Sequence, residues 1–364
     1  MDGRIEALYD FAAQETFQLQ KLKLTSAQFT PFNHPPHTTL LYAPFAIAGF
    51  EAGLILWSIC GLMALALAWS VLRRELAPLS NYSTVALSLL SFCFYPTIAW
   101  FLANQNSSLS FLLLSLFYVG LRRGGDFSAG LALGCLIYKP QLLLVPVFIL
   151  LLNRRWRALG GCILISALWI GSGFLLSPNA TFEYLRVLPQ IAQLPFLPSY
   201  PIAKLHNVYG FCILLFAGFL SVGTVKLLSA LFTLGGLGLL FFWWRPYSWQ
   251  PGTRSWDLQM AATLALGLSL SPHLMFYDLM ILLLPLAIVW SHYSKGTNGR
   301  ALDGDRLLVW SALVYVAVFI GSYLSLAMLK VGPALGLSRF AVQFSVLIII
   351  GWALVVRRLS AGGG

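Results

Sequence analysis

The sequence predicts an all-α fold: a polytopic transmembrane helical bundle of roughly 9–11 helices that includes re-entrant or interfacial helices. Three observations predict it. Of the 364 residues, 59% are hydrophobic and only 10% charged, and the mean hydropathy of +0.79 lies outside the balance of a soluble domain. The apolar residues form runs long enough to cross a hydrocarbon layer of about 30 Å, a passage that takes about 20 residues. The basic residues fall as short clusters between those runs: Arg73-Arg74, Arg122-Arg123, Arg154-Arg155-Trp156-Arg157 and Arg357-Arg358.

Each apolar run is justified in turn. Clear spans are 51–72, 82–102, 107–121, 158–176, 227–244, a pair within 258–290, 307–329 and 340–356. Basic clusters mark the cytoplasmic side, so the loops at Arg73, Arg122, Arg154, 245–254, 295–306 and Arg357 share one face. Segment 127–152 then has basic clusters at both ends and must turn back. Its middle is Lys139-Pro140-Gln141, where proline removes a helix hydrogen bond. The expectation is a re-entrant hairpin with Lys139 near its tip, against the alternative of one kinked span. The same parity makes 208–225 a non-spanning helix on the outer face. In domain terms, 1–50 is an outer-face N-terminal segment, 51–358 a multi-span membrane domain and 359–364 a tail.

A net charge of +11 raises the question of a nucleic-acid partner. Clusters between spans are topological signals rather than a basic stripe interleaved with aromatics, so nucleic acid is excluded. The five cysteines lie within apolar stretches at no metal-like spacing and read as small core hydrophobes. Trp243, Trp244, Trp290 and Trp310 read as interfacial anchors. The first residues lack the basic start and apolar run of a signal peptide.

The topology gathers polar elements on the non-cytoplasmic side: 1–50, Asn104-Gln105-Asn106, 177–207, 271–278 and 330–339. Four of the five histidines, His34, His37, His206 and His273, fall there. Imidazoles titrate, hydrogen-bond and bind anions near neutral pH, so the chemistry is expected to face outward. Ionisable residues at membrane depth cost about 2.5 to 3.5 kcal/mol on insertion scales and call for a reason. Three remain once loop charges are removed: Glu51, Lys139 and Asp278. Glu51 marks the end of a span. Ser271 suits a helix N-cap and Pro272 the first helical position, which would set His273 and Tyr277 one turn apart beside Asp278, with amide groups aimed at a phosphate. Lys139 could pair with an anionic headgroup as a compact charge, or snorkel to the interface. Asn104, Gln105 and Asn106 supply amides of the kind that fix sugar hydroxyls, and equally suit a solvated loop.

Taken together, Ala7-Leu8-Tyr9-Asp10, His34-Pro35-Pro36-His37, Ala43-Pro44-Phe45, Asn104-Gln105-Asn106, Tyr138-Lys139-Pro140-Gln141, Arg154-Arg155-Trp156-Arg157 and Ser271-Pro272-His273 with Tyr277-Asp278 give a chain that resembles glycosyltransferase family 87. That family holds polyprenyl-phosphate-mannose-dependent α-mannosyltransferases of the C-type glycosyltransferase superfamily. The resemblance implies transfer of a sugar, usually mannose, from a polyprenyl phosphate sugar donor to a glycan or glycolipid acceptor. It further implies inversion at the anomeric carbon, no cofactor and no metal, and an integral protein of the plasma (inner) membrane with its site facing outward. Asp278, His273 and Asp10 are the catalytic candidates. Lys139, Gln105, Asn104, Asn106, Tyr277, His34 and His37 are the candidates for holding the donor's phosphate and sugar. The family's general base is a carboxylate in the first outer loop, preceded by a transmembrane helix, and this sequence begins after the place where both would fall. The expectation is therefore a shortened chain, an inactive or divergent member, or a substitute base at Asp10, Glu15 or Asp278. Two other readings compete: a membrane transporter or lipid-linked-sugar flippase, for which no internal repeat is found, and a non-catalytic scaffold derived from a transferase.

Overall fold

The computed structural model describes residues 8–22, 31–196, 200–245, 249–293, 301–331 and 341–361. These residues are helical apart from connections and one isolated antiparallel bridge, Leu205 to Met275. In chain order the helices are α1 (Phe11–Leu22), α2 (Thr39–Ala46), α3 (Phe50–Glu75), α4 (Thr84–Ser91), α5 (Tyr95–Leu102), α6 (Ser107–Arg122), α7 (Asp126–Gly134), α8 (Leu144–Leu152), α9 (Trp156–Leu176), α10 (Pro178–Ile191), α11 (Val208–Phe216), α12 (Val222–Trp244), α13 (Arg254–Leu270), α14 (Leu283–Tyr293), α15 (Ala301–Val331) and α16 (Phe344–Ala361). Five, namely α3, α9, α12, α15 from Ser311 and α16, are long and apolar enough to cross a membrane. Their outward faces expose aliphatic side chains such as Ile55, Leu67, Ile163, Leu168, Leu227 and Leu231, as contact with lipid tails requires. Helix α16 runs to Ala361, past the boundary expected at 358.

Other apolar runs are broken. The span expected over 82–102 is two helices, α4 and α5, that meet at 87°. Pro96 lies in the first turn of α5, where its missing N–H is tolerated, so a new helix starts there instead of α4 continuing. Segment 127–152 is also two arms. Arm α7 continues through a 3₁₀ turn, Cys135–Tyr138; a second such turn, Pro140–Leu142, leads into α8. An ion pair between Arg155 and Asp126 draws the two ends of the segment together, so it turns back with Lys139 at the far point, as the charge pattern requires. Helix α11 has nine residues, about 14 Å of helix, and is too short to span.

The first arm is seated by glycine. Gly130 and Gly134, spaced i and i+4 on α7, lie against Ala158 and Cys162 of α9, and Gly161 lies against Phe127 and Leu131. A Cβ on Gly130 would collide with the Ala158 carbonyl, so only glycine lets the backbones approach this closely. The matched increments show that α7 and α9 run parallel, which carries Lys139 away from the Arg155 end.

That basic end is closed by a buried network. Asp257 of α13, with a fully buried side chain, accepts hydrogen bonds from Tyr118 Oη (2.7 Å) and Arg122 Nε (3.2 Å), and His292 Nε2 lies 2.9 Å away. Arg122 also pairs with Glu75, so α3, α6, α13 and α14 are tied at one point. The tryptophan reading is corrected here too: Trp243 and Trp244 are buried, and the Trp244 indole donates to Thr263 (2.9 Å). The cysteines divide, with Cys162 and Cys212 buried and Cys60 and Cys93 exposed on the bundle surface.

At the opposite end a small second cluster forms where Leu8 and Tyr9 pack on Ala180 and Val187 of α10. The Tyr9 hydroxyl donates to the His34 carbonyl (2.7 Å), fixing the segment that carries His34 and His37.

Removing one partner of a buried ion pair leaves the other charge uncompensated and costs about 3 to 5 kcal/mol. Asp257→Ala is therefore expected to lower the thermal midpoint of the detergent-purified protein sharply, with Asp257→Asn less severe, whereas Arg186→Ala, on an exposed i,i+3 pair with Glu183, changes it little.

Candidate functional site

The site is built where three breaks in helical structure converge: the start of α6, the tip of the 127–152 hairpin and the connection from α13 to α14. Ser271 is not an N-cap. It ends α13, with its N–H on the Gly267 carbonyl (3.0 Å), and Met275, in extended backbone, precedes a 3₁₀ helix over Phe276–Leu282. The cause is tertiary. The Ser271 carbonyl accepts from Asn207 Nδ2 (2.7 Å), the Leu274 carbonyl accepts from the His206 N–H (2.8 Å), and Pro272 has no N–H to offer. Residues 272–275 therefore pair with 205–207 instead of starting a helix. The expected anion-binding helix N-terminus at Ser271 is absent, and His273 and Tyr277 do not share a helix turn.

What the connection delivers is Asp278. Its Oδ1 accepts from Lys139 Nζ (2.5 Å) and from Ser107 Oγ (2.6 Å). Both charged side chains are 3% exposed. No hydrogen bond to Oδ2 occurs among the described residues. Lys139 reaches the carboxylate because Pro140 cannot prolong the preceding turn, and the Lys139 backbone (φ −129°, ψ 70°) leaves the helix at the tip. The tip is buttressed on two sides: Tyr138 Oη lies 2.8 Å from Ser110 Oγ on α6, and the His37 imidazole approaches the Ile137 carbonyl at 3.4 Å.

Around the pair lie half-buried aromatic groups. The Tyr277 ring centroid is 5.6 Å from Lys139 Nζ. His34 and His273 feel the charges of Lys139 and Asp278, and His34 also feels His273. Burial, reinforced by Lys139 and His273, pushes His34 down to about 4; burial likewise lowers His273, against the opposing pull of Asp278. Both imidazoles are neutral at physiological pH. Asn106 is buried, donates through Nδ2 to the Tyr42 hydroxyl (2.9 Å), and its Oδ1 is buried without a hydrogen-bond partner among the described residues.

The structure thus unites Lys139, Asp278, His273, His34 and Tyr277, with Asn106 next to Ser107 and His37 behind the tip. It does not bring in Asn104, Gln105 or Asp10. Asn104 adopts φ 52° and turns to α3, its Oδ1 accepting from Ser58 (2.9 Å) and its carbonyl from the Trp57 indole (3.0 Å). The Gln105 carbonyl accepts from the Trp100 indole (2.6 Å), while its side chain donates only to Ala103 (3.3 Å). Asp10 is exposed and caps α1, accepting from the N–H groups of Ala12 and Ala13. Sequence reasoning missed Ser107 and Tyr42. Ser107 had one available signal, a hydroxyl at the start of a helix directly after the amide triplet; Tyr42 had none.

A row of packed aromatic rings runs from this cluster to the lipid-facing surface. Tyr277 packs on Phe276 (5.4 Å between centroids), Phe276 stacks on Tyr95 (6.2 Å), and Tyr95 meets Phe319 (5.2 Å) and Tyr323 (5.9 Å), both of them exposed on α15. One turn before Phe319, Val316 lines a groove of about 490 Å³ between α3, α4, α14 and α15, whose walls include Trp69, Leu87, Leu90, Leu286 and Trp290. The cluster lies level with the middle of α3, because Gly61 there packs against Trp100 and Ser108. Among the described residues no group of three or more His, Cys, Asp and Glu is placed to hold a metal ion.

The fold and site define a class: an all-helical, polytopic membrane protein with a buried cation–carboxylate pair. The model of Glycosyltransferase family 87 matches residues 32–272, about two-thirds of the chain, and the protein belongs to that family. The match contains His34, Asn106, Ser107 and Lys139 and ends just before His273, Tyr277 and Asp278. Two curated relatives from Mycobacterium tuberculosis, strains CDC 1551 / Oshkosh and ATCC 25618 / H37Rv, are each named alpha-(1->3)-arabinofuranosyltransferase; each is 32% identical over 165 residues, which is 43% of this chain and 37% of the relative. The alignment thus spans little more than a third of their length. No solved structure matches the chain.

The histidines set a pH dependence. The unfolded chain takes up a proton on each imidazole near pH 6.5, the folded chain on His34 only near 4. The stability that depends on neutral His34 is complete above about pH 6.5 and declines as the pH falls toward 4. Chemical denaturation across pH 4 to 8 should show that decline, and His34→Gln should flatten it.

Proposed function

We propose that this chain is a membrane glycosyltransferase that takes a sugar from a polyprenyl phosphate carrier and passes it to a glycan or glycolipid acceptor on the non-cytoplasmic side. The observation that carries this reading is the buried pair of Lys139 and Asp278 in a bundle that also has a lipid-facing apolar groove. A polyprenyl phosphate is one long apolar chain ending in an anion, and the protein offers a lipid-facing apolar groove and, beyond the packed rings of Phe319, Tyr95, Phe276 and Tyr277, a buried ammonium group. Family membership supplies the reaction class.

In this reading the tail lies in the groove and the phosphate meets Lys139, with His273 and His34 as neutral donors beside it. As the bond from the anomeric carbon to the phosphate oxygen breaks, negative charge grows on the phosphate, and a fixed cation in a dry setting stabilises that charge more than it stabilises the starting diester. In this reading Asn106 and Tyr42 hydrogen-bond sugar hydroxyls, which is supported by the Asn106 Oδ1 being buried without a partner among the described residues. The basic end carrying Arg122, Arg155 and Arg357 lies in the cytoplasm by the charge rule, which turns the opposite end, with α1 and α10 over the site, outward from the plasma membrane.

Mannose is the sugar implied by the family resemblance, while the name of the mycobacterial relatives favours an arabinofuranosyl donor. Membranes containing the protein should be assayed with both polyprenyl-phosphate-linked sugars. Transfer is expected from one of them, and Lys139→Met should reduce it by about 10²- to 10³-fold, the usual loss when one electrostatic stabiliser of a transition state is removed. Undiminished transfer by Lys139→Met, or no transfer from either donor by the intact protein, would sink this reading.

A further inference from the structure

The pair that holds the site together cannot remain intact during the reaction just proposed. Lys139 Nζ and Ser107 Oγ both bond Asp278 Oδ1, at 2.5 and 2.6 Å. Lys139 has no other acceptor of hydrogen bonds among the described residues, only the face of Tyr277. A phosphate that reaches the ammonium must therefore compete with a carboxylate already bound to it. The two anions cannot share it cheaply, since like charges at this separation in a dry interior repel strongly.

We infer that Lys139 is a transferable counter-ion: arrival of the donor phosphate draws it away from Asp278, and the released carboxylate then serves as the general base for the acceptor. This inference rests on the lipid-phosphate reading of the site and adds a regulatory order to it. Before the donor binds, Asp278 Oδ1 is engaged by both Lys139 and Ser107. Once Lys139 turns to the phosphate, Asp278 keeps only the Ser107 hydrogen bond. Asp278 Oδ2, free of hydrogen bonds among the described residues, is the oxygen that meets the acceptor hydroxyl.

The step balances. The acceptor O–H proton passes to Asp278 as the acceptor oxygen forms a bond to the anomeric carbon. The bond from that carbon to the phosphate oxygen breaks, and its electron pair leaves with the polyprenyl phosphate, whose charge Lys139 holds. When the product lipid departs, Lys139 returns to Asp278 and the proton is lost to solvent. The arrangement enforces order, since Asp278 is released only after the donor has bound. It also gives this chain a carboxylate base within its own described residues, placed by the turn that follows α13.

The inference makes a prediction of unusual sign. Binding of polyprenyl phosphate to the full chain in lipid nanodiscs should be compared with binding of the uncharged polyprenol, for the native protein and for Asp278→Asn. Asn keeps the Ser107 hydrogen bond but no longer holds the ammonium by charge. Asp278→Asn should bind polyprenyl phosphate about tenfold or more tightly than the native protein, the factor one charge-assisted hydrogen bond carries, with polyprenol binding unchanged and sugar transfer abolished. A residue that merely braced the fold would weaken both lipids together. Equal or weaker phosphate binding by an Asp278→Asn protein that still binds polyprenol normally overturns the inference. Failure of the native protein to prefer polyprenyl phosphate over polyprenol instead overturns the underlying lipid-phosphate reading. Should Asp278→Asn not fold, the native protein decides alone. Its infrared difference spectrum on saturation with polyprenyl phosphate must show a shifted carboxylate stretch, and an unchanged carboxylate region at saturation refutes the exchange of partners.

Discussion

The ion pair of Lys139 and Asp278 is the constraint on which the rest of the site depends. Two opposite charges at the level of mid-α3, each 3% exposed, are tolerated only because they meet. To bring them together, the chain must break helices in three places. The hairpin must turn at Pro140, the α13–α14 connection must stay extended through 272–275, and α6 must begin at Ser107 so that its first hydroxyl reaches the carboxylate. The glycines of α7, the His37 buttress and the pairing of 205–207 with the connection all serve to hold those breaks in register. Neutral His34 and His273 follow from the same setting, since a second cation beside Lys139 in a dry site is unfavourable.

Among the described residues Asp126 and Asp257 are also buried carboxylates, and Asp257 is held quite differently from Asp278. Asp257 is engaged through both oxygens, by Tyr118, Arg122 and His292, and it joins four helices at the basic end. Asp278 is held through one oxygen, beside half-buried imidazoles and a phenol ring, and next to an amide oxygen that lacks a partner. A fully satisfied network rigidifies, whereas a partly satisfied one keeps capacity for a further partner.

The membrane fold was legible because hydropathy and basic clusters are strong, local signals. Lys139 and Asp278 were legible as well, since an ionisable residue inside an apolar run stands out. Their contact was not, because 139 residues separate them and no short-range pattern encodes it. Hydropathy also does not register direction: the run over 82–102 reads as one span although α4 and α5 meet at 87°. The capping rule at Ser271-Pro272 failed for a tertiary reason, since residues 205–207 claimed the backbone groups a helix would have used. Of the amides at Asn104 and Gln105, the first accepts from Ser58 and the second donates to the Ala103 carbonyl, while the Trp57 and Trp100 indoles hold the two backbone carbonyls. Asp10 was a cap.

The central claim is that Lys139 receives the headgroup of a lipid phosphate while the apolar groove receives its tail. The most direct measurement is a structure of the full chain in nanodiscs with polyprenyl phosphate bound. The account predicts phosphorus within about 4 Å of Lys139 Nζ, the reach of a charge-assisted contact, and isoprenoid density past Phe319 into the groove lined by Val316 and Trp290. Phosphate bound instead at the basic end beside Arg122, with Lys139 still paired to Asp278 and the groove empty, would contradict it.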